Sequence, residues 1–130
     1  MIVGQGKTIV KRENGIKILG FVKDEDLVYL YNAASVFVYY SLYEGFGLPV
    51  LEAISCGTNV IASDIGAIKE LTRSKVPLIK PQRPVELACE IEKAVKTGKI
   101  SNKAKSLVKE YSWSKTADAT FKVYKKVLKK

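Results

Sequence analysis

At 130 residues, 47% of them apolar, the chain is long enough for one hydrophobic core and short for an enzyme that must hold two substrates. No run of about 18 apolar residues is present, and with no histidine and only two cysteines a zinc site or a histidine-based triad is not expected. The net charge of +9 is local: residues 1–95 carry 11 basic and 11 acidic side chains, whereas residues 96–130 carry 11 lysines against Glu110 and Asp118.

The N-terminus shows no signal-peptide pattern, and Cys56 and Cys89 read as free thiols in a reducing compartment, so a cytoplasmic location is expected. Residues 1–3 look like the end of a strand, and Gly4-Gln5-Gly6 a tight turn. Gly6-Lys7-Thr8 matches the end of a P-loop, but that loop's first glycine would fall at Met1; a dinucleotide fingerprint would need glycine at Ile9. Residues 16–19 form a short strand after the turn at Asn14-Gly15, and Asp24 caps a helix in which Leu27, Leu30, Tyr31 and Ala34 share a buried face. Residues 36–40 are apolar without alternation, as in a central strand covered on both sides.

A glycine-containing turn follows, then a helix opening at Pro49 and closed by Gly57. Residues 59–62 are the next strand, 67–71 a short helix and 77–79 a last strand; helices follow over 85–96, 102–110 and 114–128. In the last helix Trp113, Ala117, Phe121, Tyr124 and Leu128 share a face. Strands alternating with helices predict an α/β fold: a Rossmann-like parallel sheet with helices on both faces and a helical C-terminus, in one domain over 1–130.

Ligands of such sheets lie beyond the carboxyl ends of the strands, where the turn at residues 41–48 falls. Gly45 and Gly47 allow close backbone approach, and the start of the next helix favours an anion such as a diphosphate. Glu44 and Glu52 frame the turn, with Glu52 near the end of the helix's first turn and able to accept from two neighbouring hydroxyls. Composition alone leaves this reading level with an ordinary capped helix. A glycosidase's pair of carboxylates is disfavoured, because a helix N-terminus invites an anion rather than a neutral sugar.

The stretch Glu44-Gly45-Phe46-Gly47-Leu48-Pro49-Val50-Leu51-Glu52-Ala53 resembles the E-x7-E signature of family 4 (group 1) glycosyltransferases, retaining enzymes of the GT-B fold. Further likenesses run along the chain: Ile2-Val3-Gly4-Gln5-Gly6, Leu19-Gly20-Phe21-Val22, Tyr31-Asn32-Ala33-Ala34-Ser35-Val36-Phe37-Val38, Ser41, Cys56-Gly57, Val60-Ile61-Ala62-Ser63-Asp64, Gly66, Glu70 and Ser112-Trp113. The resemblance implies the donor-binding, C-terminal half of a GT-B enzyme that takes a UDP-, GDP- or ADP-sugar without a metal or other cofactor. It assigns Glu44, the catalytic candidate, to the donor sugar, the backbone around Phe46, Gly47, Leu48 and Val50 to the diphosphate, Glu52 to the ribose, and the loop at Phe21 and Val22 to the base. Transfer with retention would proceed by front-face displacement, the leaving diphosphate helping to deprotonate the acceptor.

Departures accompany the likeness. The family's arginine–lysine pair belongs one strand upstream of residues 1–4, and the N-terminal acceptor domain lies further upstream. Both are missing from this stretch of sequence, so the chain alone is expected to be inactive, and a non-catalytic interaction module is the rival reading. Ile68-Lys69 and Thr58-Asn59 stand where apolar-proline pairs are usual, and residues 72–81 are shortened. The lysine-rich C-terminus reads first as a solvated helical face and second as a contact for an anionic membrane, peripheral on its inner face. Nucleic acid is disfavoured because aromatics do not interleave the lysines.

Overall fold

The structure, a computed structural model, describes residues 1–3, 15–98 and 100–128. The turn at Gly4-Gln5-Gly6, the P-loop-like Gly6-Lys7-Thr8 and Asn14 lie outside the described residues. Two short strands, β1 (Ile2–Val3) and β2 (Ile18–Gly20), pair in parallel. After α1 (Asp24–Ala33) come β3 (Phe37–Tyr39), α2 (Leu48–Ser55), β4 (Val60–Ser63), α3 (Gly66–Thr72) and β5 (Leu78–Ile79). These three strands form a second parallel sheet in the order β3-β4-β5, with Phe37 opposite Val60 and Ala62 opposite Leu78. Three helices complete the described chain: α4 (Pro84–Thr97), α5 (Asn102–Val108) and α6 (Trp113–Leu128). The architecture is the expected Rossmann-like α/β arrangement.

The core lies where α2, α3 and α5 meet the three-stranded sheet. Val50, Ala53 and Ile54 of α2, Val60, Ile61 and Ala62 of β4, Ile68 and Leu71 of α3, and Ala104 and Leu107 of α5 are buried. The central strand differs from expectation. Every residue of β4 is buried, whereas those of β3 are half-buried, because β3 has β4 on one side only among the described residues. An apolar run therefore marked a strand correctly but not its place in the sheet.

Helix ends follow local chemistry. Gly57 (φ +82°) lets its N–H reach the Ile54 carbonyl at 3.0 Å and that of Thr58 reach Ala53 at 3.0 Å, the paired bonds that terminate α2. Asp24 does not cap α1: it is the first helical residue, Lys23 occupies the cap position, and no side chain bonds there. Three acidic residues in that first turn complement the dipole instead. In α6 no residue is buried, and Trp113, Phe121, Tyr124 and Leu128 are mostly exposed. Its apolar face is real but covers none of the core.

Candidate functional site

The chain leaves β3 at its carboxyl end and turns over the edge of the sheet before entering α2. Ser41 fixes the start of that turn. Its N–H donates to Ser63 Oγ at 2.7 Å, and its own hydroxyl donates to Glu44 Oε1 at 2.7 Å. Ser63, the last residue of β4, is wholly buried. A buried hydroxyl on the neighbouring strand thus sets the serine that orients the first carboxylate. Tyr39, one layer below, has its phenol pushed up to about 12, first by burial and then by the neighbouring Glu44 carboxylate.

Gly47 closes the turn with φ +98° and is buried. A Cβ there would collide with Ile68 Cδ1, so the missing side chain lets the turn seat against α3. At Gly45 a Cβ would meet nothing within 4 Å, so that backbone borders open space. Helix α2 begins at Leu48, one residue before the expected Pro49, with no side-chain cap and no acidic residue in its first turn. Nothing in the helix's own cap or first turn compensates its positive end, which therefore suits an anion.

Glu52 is the fifth residue of α2, one step later than its expected place in the first turn. It is exposed, and Oε2 accepts from the Tyr31 hydroxyl at 3.1 Å. Val50 packs into the core, while Phe46 and Leu48 line an apolar cavity of about 570 Å³ with Glu52, Tyr111 and Trp113. The Phe46 ring stands edge-on to Tyr111, with centroids 6.1 Å apart. Ser41, Glu44 and the turn to Glu52 thus follow one another from β3 into α2, and both carboxylates lie near enough to act on the Tyr39 phenol. Phe21, exposed, and Val22, half-buried, lie on the loop leaving β2 in the other sheet. No hydrogen bond among the described residues joins that loop to the turn.

Several contributors escaped sequence reading. Tyr31 and Tyr39 looked like core positions and Ser63 like the first residue of the loop after residues 59–62, whereas Ser63 is the buried last residue of β4; only their polar tips reveal a second use. Tyr40 is another: its hydroxyl donates to the Lys80 carbonyl at 3.0 Å and accepts from the Arg83 N–H at 2.9 Å. That pair ties the loop after β5 to the carboxyl end of β3.

Comparison with known proteins gives a consistent result. The family model described as glycosyl transferases group 1 matches residues 8–112. The chain is 36% identical over 118 residues to the O-antigen chain mannosyltransferase B of Escherichia coli, a match covering 88% of this chain and 31% of that protein. It is 32% identical over 110 residues to the D-inositol 3-phosphate glycosyltransferase of Saccharomonospora viridis, covering 80% of this chain and 26% of that one. Among solved structures, sucrose-phosphate synthase from Thermosynechococcus elongatus superposes with a TM-score of 0.76 at 28% identity, over 86% of this chain and 30% of that chain. The chain thus spans about a third or less of the length of these relatives.

Proposed function

Since this chain belongs to the glycosyl transferases group 1 family, we propose that it is the donor-binding domain of a retaining, metal-independent hexosyltransferase using a nucleotide sugar. The observation that carries this is the segment from β3 into α2, where a serine-held Glu44, an uncapped helix start and a tyrosine-held Glu52 follow one another. Glu44 receives the hydroxyls of the donor sugar. The amides from Phe46 to Val50 and the positive end of α2 take the diphosphate, and Glu52 takes the ribose. Phe21 and Val22 border the base. Several relatives are named mannosyltransferases, which favours a mannosyl donor.

The sheet supports a position for what would complete the site. Doubly wound folds of this kind have strand order 3-2-1-4-5-6 and bind ligands where the order reverses. The described strands read β2-β1, then β3-β4-β5, and an apolar cavity of about 750 Å³ lies between Ile2-Val3 and residues 36–39. A parallel strand seated there would bring the loop beyond its carboxyl end opposite Glu44 and Glu52. We assign that strand, the diphosphate-binding cations and the acceptor domain to the remainder of a protein the size of its relatives.

Titration with UDP, GDP and ADP, followed by amide NMR shifts, tests the donor site. Weak binding that moves Gly45, Gly47 and Glu52 is expected; if none of the three nucleotides moves them, the assignment fails. A membrane contact on the cytoplasmic side is favoured by α6, which carries Trp113, Tyr124 and Leu128 along one side and Lys115, Lys122 and Lys126 along the other. Each lysine near an anionic surface contributes roughly 1 kcal/mol. The chain should float with vesicles containing anionic lipid and a chain ending at Ser112 should not; equal flotation of both would remove α6 from the account.

A further inference from the structure

Tyr31 belongs to α1, outside the signature that frames the turn, and it is held from several directions. Its backbone carbonyl accepts from Thr58 Oγ1 at 2.6 Å, its ring meets Phe37 edge-on at 5.1 Å, and only 5% of its surface is exposed. The one polar atom left to aim is the hydroxyl, and it donates to Glu52 Oε2. Burial first, then the charge and hydrogen bond of Glu52, push the phenol well above its usual value, so it remains a donor throughout the neutral range.

A carboxylate offers about four lone-pair sites on two oxygens. The Tyr31 hydroxyl occupies one of them, and among the described residues Oε1 accepts no hydrogen bond. Glutamate on an exposed helix face otherwise samples many rotamers, and immobilising such a side chain on binding costs roughly 0.5–1.5 kcal/mol. A donor on a neighbouring helix, itself immobile, removes that disorder before any ligand arrives.

Resting on the donor-site reading, we propose that Tyr31 is a positioning residue that holds Glu52 in the orientation able to receive the ribose 2′- and 3′-hydroxyls. The partner chemistry is therefore a vicinal diol, and the contribution of Tyr31 is confined to ligands that possess one. A purely structural tyrosine would affect all ligands alike.

Tyr31→Phe keeps the ring and removes only the hydroxyl. Whichever of UDP, GDP and ADP binds wild type most tightly is compared with its 2′,3′-dideoxy analogue. The variant should weaken the ribonucleotide by roughly two- to thirteen-fold, the cost of immobilising a freed glutamate side chain on binding. The dideoxy analogue should change less than about twofold, within the scatter of a substitution away from its contacts. Equal loss for both ligands, or loss for neither, overturns the proposal. Should wild type bind none of the nucleotides, the donor reading itself fails, and the Tyr31–Glu52 pair is then judged by urea unfolding of Tyr31→Phe, Glu52→Gln and the double variant. Non-additive effects sustain the hold on Glu52, and additive ones overturn it.

Discussion

Glu110 is the residue on which two cations converge. Arg73 Nη1 lies 2.5 Å from one of its oxygens and Lys75 Nζ 2.8 Å from the other, joining the segment after α3 to the end of α5. The hydrogen bond from Lys75, with the charges of Arg73, Lys75 and Lys115, holds the carboxyl below its usual value against a smaller desolvation effect. Because the folded value is depressed, the stabilisation is complete above the unfolded pKa and disappears as pH falls through the folded one. Urea midpoints should therefore fall more steeply in acid for wild type than for Glu110→Gln; parallel profiles would deny the clamp any part in acid sensitivity. Arg73 itself has φ +49°, the left-handed end of α3. A short loop of unusual backbone is thereby pinned by charge rather than by glycine.

Among the elements, the β3–α2 turn depends most on a single backbone choice. Gly47 combines positive φ with a Cβ position occupied by the Ile68 methyl. Gly47→Ala should destabilise the domain by about 1–3 kcal/mol, combining the conformational penalty with displacement of Ile68; an unchanged denaturation midpoint would contradict this. Gly45→Ala, facing open space, provides the matched control. Much of this element was readable beforehand. Pro49 lies one residue inside the observed start of α2 and Gly57 two residues past its end, and Glu44 and Glu52 are spaced by a recognisable signature. What fixes those carboxylates was not readable. Ser63 and Tyr31 lie 22 and 21 residues from the groups they bond, and no local pattern tells their hydroxyls from those of an ordinary loop serine or core tyrosine. Strand order also escaped, because an apolar run is equally consistent with a middle or an edge strand.

At the scale of the molecule, the described strands fall into two sheets, β1–β2 and β3–β4–β5, with an interruption lined by an apolar cavity between Ile2-Val3 and residues 36–39. Edges at a rim are defended by charge, proline or short length; edges facing each other across an apolar cleft have no such defence. The interruption also divides cooperativity. The strand pair β1–β2 contributes no residue to the buried core, which is built from α1, α2, α3, α5, β4 and the segments flanking α3 and α5. Opening of that pair should need far less free energy than opening of the β3–β4–β5 body, so amide exchange at Ile18–Gly20 should outpace exchange at Val60–Ser63 by orders of magnitude. Equal protection at both would mean that the two sheets unfold as one. A strand laid in the cleft would weld them, turning two unequal cooperative units into one, and the nucleotide crevice would then form at the seam where folding itself becomes all-or-none.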